Sequence, residues 1–347
     1  MERREFIRAG TLALIVAGTP AYAGALAAPE DPLIWRKVSA PADFSNRIKR
    51  DIEMLPPLKI KEITVRLGAK KPFSVMHVSD SHIVRADGRD DERKWQLAAA
   101  RSGHMRWGEH YLEEAMCIAS EKGMYLVHTG DLYDFVSEAN LDSAAVHLGA
   151  ADWMVSVGNH EFSKYVGEAK EDEAYKDDNR EKVQAAFPND LRFQSRIING
   201  VNFVALDDVY YNVTVEQHRL MEAEMAKGLP VVLLCHVPFY IKELCDFELE
   251  QNGGRCAYLT GVPEEITSRY EPGVKYPAGE EWRYRSVQQK ADRPTLDFIA
   301  WLREQPLLKA ILCGHCHVYH EDRFSPGAMQ YVVGAGYRGE AQVIHFR

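Results

Sequence analysis

The chain reads as an α/β protein, a sheet covered by helices on its faces with ligands gathered at the carboxyl ends of the strands. Two observations carry this. Short apolar runs alternate with helix-period segments through much of the 347 residues, and that alternation implies a sheet packed between helices. Five runs then break off into Asp, Asn or His: residues 73–78 before Asp80 and His82, 124–127 before Gly130 and Asp131, 153–157 before Asn159, His160 and Glu161, 231–234 before His236, and 307–312 before Gly314, His315 and His317.

Length and ordinary aliphatic content allow one large domain, or one domain carrying insertions. A net charge of −9, with no basic run and no Arg/Lys-rich helix, argues against nucleic acid or an anionic membrane as general partner. There is no internal repeat, and beyond the first thirty residues no apolar stretch is long enough to span a bilayer. Residues 1–28 differ from globular sequence. Arg3, Arg4, Phe6 and Ile7, an apolar stretch over 11–18 and then small residues resemble a twin-arginine export signal, which is usually cleaved. A short amphipathic helix with a chance Arg pair is the alternative. The export reading implies a periplasmic or secreted protein with no stable membrane anchor after cleavage.

Residues 29–61 form an irregular, proline-bearing lead-in to a domain over 62–347. Strands are expected over 63–67 and 73–78, separated by a turn at Gly68 and Pro72. The charge-dense 84–104 reads as a solvated loop over the mouth of the site. A helix over 107–122 has its apolar residues at helical spacing and stops at Gly123, and another follows over 138–148. The excursion 162–193 is expected to be helical only around 181–186. A hairpin over 196–207 turns at Asn199-Gly200. Thr214 and Gln217 make a capping box for a helix to Lys227, closed by Gly228. The largest insertion, about 238–294, precedes a helix from Thr295 to Glu304, and further strands fill 318–346.

Six cysteines permit disulfides in an exported protein. Cys245 and Cys256, flanking a Gly-containing loop, are the first candidate pair. Cys313 and Cys316 have CxxC spacing, that of a redox couple or half a zinc knuckle. No thioredoxin-like context or second CxxC accompanies them, and the interleaved histidines explain the stretch better. Cys117 and Cys235 read as core thiols.

Asp131 suits a site holding two metals. Paired catalytic ions lie about 3.5–4 Å apart, so one anionic ligand has to reach both. The blocks SDSH at 79–82, GDLYD at 130–134, GNHE at 158–161, the isolated His236 and GHCH at 314–317 resemble, in order, the five signature blocks of the calcineurin-like metallophosphoesterases. The resemblance covers roughly 62–347. It implies a four-layer α-β-β-α sandwich of two mixed β-sheets flanked by helices, and a centre of two divalent ions. Asp80, His82, Asp131 and His317 would bind one ion, and Asp131, Asn159, His236 and His315 the other. Such a mixture of oxygen and imidazole donors without thiolate suits Mn, Fe or Zn. The resemblance further implies a metal-bridging hydroxide as nucleophile, His160 as the acid that protonates the leaving alkoxide, and Asp134 as the group orienting His160. Glu161 would buttress the loop.

Departures from the family's branches narrow the class. Phe135 and Val136 stand where protein phosphatases carry a phosphate-clamping Arg. Purple acid phosphatases have Gly in place of His82 and a Tyr ligand three residues after the bridging Asp, where this chain has Tyr133 two after it. A small phosphomonoester or phosphodiester is the expected substrate. The alternatives are a metal-binding, non-catalytic or sensing protein on the same fold, and a redox protein using Cys313 and Cys316. His77 and His128, inside apolar strands, read as core or supporting histidines rather than ligands. Tyr210, Tyr211, Tyr240 and Tyr258 could stack on a substrate or pack their loops. Arg338 lies in a late turn that could approach the site. Specificity is expected in 84–104, 162–193 and 238–294.

Overall fold

A computed structural model describes residues 54–167 and 170–347; the export signal read at 1–28 and the lead-in up to residue 53 lie outside them. The strands are β1 (Lys59–Val65), β2 (Phe73–Val78), β3 (Tyr125–Thr129), β4 (Trp153–Ser156), β5 (Phe193–Ile198), β6 (Val201–Leu206), β7 (Val231–Leu234), β8 (Leu308–Cys313), β9 (His320–Ser325), β10 (Ala328–Val332) and β11 (Glu340–Phe346). The helices are α1 (Glu92–Met105), α2 (Gly108–Lys122), α3 (Glu138–Gly149), α4 (Glu173–Ala186), α5 (Val215–Met225), α6 (Lys242–Gln251), α7 (Glu264–Thr267), α8 (Arg285–Gln288) and α9 (Arg293–Arg303).

Successive side chains on a strand point to opposite faces, and these strands are apolar on both, so each sheet needs a cover on either side. One sheet has the order β1-β11-β2-β3-β4 and the other β5-β6-β7-β8-β10-β9. Both are mixed: β11 runs antiparallel to β2 in the first, and β5 and β9 are antiparallel edges of the second. Val75, Val127, Met154 and Ile344 of the first sheet meet Phe203, Ala205, Leu234 and Leu312 of the second. The alternate residues turn outward. Met76, Leu126 and Val155 pack with Leu112 and Ala115 of α2 and Ala144 and Leu148 of α3. Val204, Leu233 and Ile311 pack with Met221 of α5, Leu244 of α6 and Phe298 and Leu302 of α9. The result is the α-β-β-α sandwich. Truncating a central residue such as Phe203, fully buried between the sheets, would cost about 3–5 kcal/mol.

Local signals read from sequence hold at several points. Gly123 ends α2 in the left-handed region at φ 62°, donating to Ala119 O and Ser120 O. Both turn residues of the β5–β6 hairpin have positive φ, Asn199 at 49° and Gly200 at 85°, as a tight two-residue hairpin requires. Thr214 and Gln217 form the capping box of α5.

Other expectations are corrected. The segment 84–104 is largely helix α1, not a loop. Asp91 caps it by accepting from Lys94 N, and Trp95, Leu97 and Ala98 pack on Phe135 beneath a charged outer face. Helix α4 starts at Glu173 rather than near 181. Asp172 caps it, and Arg180 pairs with Asp177 along its polar face. Helix α9 starts at Arg293, two residues before Thr295, capped by Asp292 with Pro294 in the first turn. Strand β1 begins at Lys59, where its register against β11 begins at Glu340. Cys245 and Cys256 are buried free thiols of one apolar cluster and form no disulfide. The Cys313 thiol lies 3.5 Å from that of Cys235, the residue that follows the adjacent strand β7.

Candidate metal centre

Strands β2, β3 and β4 run parallel, as do β7 and β8, so the loops after them leave from common edges. The first two loops continue the ladder past the sheet. Asp80 N donates to Gly130 O and His82 N to Asp131 O, both at 2.9 Å. From the second sheet His315 N donates to Asp80 Oδ2 at 3.0 Å. Asp80, His82, Asp131, His315 and His317 all have left-handed backbone, with φ between 45° and 68°. Such conformations cost about 1–3 kcal/mol each and persist where surrounding bonds over-determine them. Gly130 is one reason the loops fit. It has φ 94°, and a Cβ there would lie 2.5 Å from Gly158 N and 2.6 Å from His236 Nδ1.

Glu161 supplies the bonds that fix the Asp131 turn. Its carboxylate accepts from Asp131 N at 2.8 Å, Leu132 N at 2.7 Å and Gly158 N at 2.6 Å, fastening the β3 loop to the β4 loop. Burial, then the Asp131 charge, push its carboxyl up to about 7 against these three donors.

Two half-sites result. In the first, His317 Nε2 is 3.1 Å from Asp80 Oδ1 and 3.2 Å from His82 Nε2. In the second, His236 Nε2 is 3.3 Å from Asp131 Oδ2 and 3.1 Å from His315 Nδ1. Asp131 Oδ2 also lies 3.6 Å from His82 Nε2, so this carboxylate joins the halves. Two donors about 2.1 Å from one ion, at tetrahedral or octahedral angles, stand about 3.0–3.4 Å apart. The contacts within each half match that spacing.

Proton bookkeeping points the same way. His82 Nδ1 donates to Asp134 Oδ1 at 2.9 Å, and His236 Nδ1 donates to Thr129 O at 2.7 Å. Each neutral ring therefore turns a bare Nε2 lone pair toward a second imidazole nitrogen, an arrangement that calls for a proton or a cation between them. Asn159 Oδ1 is buried with no hydrogen-bond partner, a cost that a bound cation would remove. The residues thus fit a pair of divalent ions: carboxylate oxygens, a carboxamide oxygen and imidazole nitrogens, with no thiolate among them.

Burial alone would lower the His236 imidazole, but the Asp131 carboxylate carries it up to about 10 in the metal-free protein. His160 is likewise raised to about 10 by Asp131 and Asp134 against its burial. Burial, with His236 opposite, pushes His315 down to about 3, and burial also lowers His82. The Asp131 carboxyl sits well below its usual range because the surrounding imidazoles outweigh its burial.

His160 holds Nδ1 2.6 Å from the Asp134 main-chain carbonyl, and its Nε2 is 4.0 Å from Asp131 Oδ2. With His82 and Asp131 it makes a third group of potential ligands, but it lies farther from the shared carboxylate than His236 does. Asp134, expected to orient His160, also orients His82. Its carboxylate lies closer to His82 than to His160, whose Nδ1 is 3.3 Å from the same oxygen, and it orients His160 chiefly through its carbonyl. Arg101 of α1 grips that carboxylate through Nη2 at 2.8 Å and also through Nε. Sequence reasoning missed Arg101. The signal was its place on the buried stripe of a helix with Ala98 and Met105, hidden because the segment read as a loop.

Other residues fall into place around the centre. His77 bonds Thr129 Oγ1 at 2.8 Å and His128 bonds Ser81 Oγ at 3.0 Å; burial lowers them to about 4 and about 3, and both support the loops rather than line the site. The Tyr337 hydroxyl lies 3.4 Å from His317 Nδ1, and Tyr211 meets His315 Nε2 at 3.3 Å, which leaves His315 Nδ1 facing His236. Arg338 is exposed and donates to His317 O at 3.3 Å.

The calcineurin-like phosphoesterase family model matches residues 73–319. No curated protein matches the sequence. Among solved structures, the chain is similar to a dimetal phosphatase from Danio rerio, at 14% identity over 77% of this chain and 88% of that chain, with a TM-score of 0.45. It is also similar to a putative 5'-nucleotidase from Staphylococcus aureus (13% identity, 77% and 49% covered, TM-score 0.37) and a 5'-nucleotidase from Candida albicans (12%, 81% and 48%, 0.34), of which it spans about half the length. The family match extends over more than two thirds of the sequence and includes both half-sites, and the chain therefore belongs to the calcineurin-like phosphoesterases, phosphoric ester hydrolases that work with divalent metals.

Proposed function

We propose that this protein hydrolyses a small phosphomonoester or phosphodiester at a binuclear centre held by Asp80, His82, Asp131, Asn159, His236, His315 and His317. The observation that carries the reading is the pair of opposed ring-nitrogen contacts, His82–His317 and His236–His315, bridged by one carboxylate. A bound pair of divalent ions supplies a hydroxide nucleophile at neutral pH and positive charge for the phosphoryl oxygens. The protein supplies the rest. Asp131 holds the two halves at a fixed separation, and Glu161 fixes Asp131 through the backbone. His160, with Nδ1 committed to the Asp134 carbonyl, presents an Nε2 proton to the leaving oxygen as the bond to phosphorus breaks. Asp134 stabilises the imidazolium beforehand, and the hydrogen bonds from His160 and His82, with Arg101 behind them, hold Asp134 ionised against its burial.

The test is turnover of nitrophenyl phosphate and bis-nitrophenyl phosphate by the metal-loaded protein, with metal content measured alongside. Two bound ions and preferential cleavage of one ester support the reading and settle monoester against diester. Bound metal without turnover of either would establish a sensing or binding protein instead. Export by the twin-arginine route rests on Arg3 and Arg4. If that reading holds, Lys substitution of both arginines leaves the protein in the cytoplasmic fraction.

A further inference from the structure

The insertion brings one cation to the centre that the chemistry above leaves unused. Arg285 opens α8, and its main-chain N–H is anchored on Glu271 Oε2 at 2.7 Å. The guanidinium carbon stands 5.7 Å from the centre of the Tyr258 ring, and that ring in turn lies 5.9 Å, edge-on, from the ring of His315. Its side chain bonds the Gln288 amide oxygen, and no carboxylate pairs with it among the described residues. The other cations near the site are committed: Arg101 to Asp134, and Arg338 to the His317 carbonyl.

The aromatic partners are held against local preference. Tyr258 has φ 52° and Tyr211 φ 67°, left-handed backbone that is a genuine outlier for a bulky side chain. Strain of this kind collects where a side chain must be presented at a site. Both tyrosines use it to reach His315, Tyr211 through its hydroxyl and Tyr258 through its ring edge. Arg285 also lies within electrostatic reach of Glu171, which in turn feels His160 and Asp131. One aromatic ring separates Arg285 from the candidate ligand His315, so its guanidinium is set for atoms several bonds from phosphorus rather than for the scissile phosphoryl group.

We infer that Arg285, seated over Tyr258, is a specificity-determining residue that binds a second anionic group of the substrate, away from the scissile phosphoryl group, so that the preferred substrate is a phosphate ester carrying a carboxylate or a further phosphate. That the ligand is a substrate rests on the hydrolase reading; the anion preference does not. A charge-assisted, forked contact of this kind discriminates by about 10–100-fold.

Uncleavable phosphonates test it by calorimetry on the full-chain, metal-loaded protein, comparing phosphonobutyrate, which carries the second anion, with butylphosphonate, which does not. The expected result is about 10–100-fold tighter binding of phosphonobutyrate by the wild type, collapse of that ratio in R285Q, and partial retention in R285K, which keeps the charge but loses the fork. An unchanged ratio in R285Q, no preference in the wild type, or parallel weakening of both ligands in R285Q and R285K overturns the inference. Nitrophenyl phosphate turnover is scored separately. A protein that shows the Arg285-dependent preference but cleaves nothing sinks the hydrolase reading and leaves this one standing.

Discussion

The two half-sites are held by different kinds of bond. His82 is oriented by a side-chain carboxylate, Asp134, itself gripped by Arg101, whereas His236 is oriented by a main-chain carbonyl, Thr129 O. In the metal-free protein His82 is held down by burial, while His236 is lifted by Asp131 to about 10. The first half is therefore poised to accept a cation as it stands. The second must lose a proton to do so. If each half holds a cation, the two should differ in their dependence on pH and on single substitutions, because one ring borrows its orientation from an ionisable group and the other from the backbone.

The substitution that breaks both halves together should have the largest effect. Asp131→Ala removes the shared ligand, and activity should fall on the order of 10³-fold or more, a barrier change of several kcal/mol, with metal content dropping from two ions to one or none. Retention of both ions would show that the halves do not share Asp131. The pH dependence comes next. Binding in the second half displaces the His236 proton, so its affinity should rise by up to about tenfold per pH unit from neutrality toward pH 10, while the first half shows a gentler slope. Chelator competition at several pH values measures both, and equal slopes would refute the asymmetry. For the metal-free protein the sign follows from the raised His236 value. Its contribution to stability is complete below the unfolded value near 6.5 and is lost as pH rises through about 10, visible as a falling denaturation midpoint in that window.

Asp134→Asn should weaken the ion held by Asp80, His82 and His317 by about 10–100-fold and disturb the other half less, since no side chain comparable to Asp134 orients His236. Equal loss at both halves would place Asp134 in a general structural role. Arg101→Gln should have the smallest effect, less than about tenfold on the same ion, because Asp134 keeps its contacts to His82 and His160. A loss as large as that of Asp134→Asn would mean that Arg101 itself meets the substrate.

Which parts of this were legible differs between loops and insertion. The β-strand ends were readable because each carries its own punctuation, an apolar run closing on Gly, Asp or His, and the same residues then appear within a few ångströms of one another. Helix α1 was not readable: the charged run over 90–94 leads into it and masks its start, and only Asp91 at the cap and the Ala98–Met105 stripe betray it. The insertion was opaque for a related reason. Its short helices α7 and α8 have no periodic apolar face, so nothing in the local pattern says that Arg285 stands over Tyr258 or that the Tyr258 ring meets His315.

By itself the sequence determined the layered α/β character, since runs apolar on both faces demand cover on both sides, and it determined the chemical types available at the strand ends. Tertiary structure alone decided who meets whom: that Asp134 serves His82 as well as His160, that Arg101 closes on Asp134, that Glu161 fastens two loops by three amides, and that His236 leans on a carbonyl. The physical reason is that side-chain periodicity records only how a residue sits on its own element. Which atoms come within hydrogen-bonding reach depends on how two sheets and their loops pack, and that is encoded by no single stretch of chain.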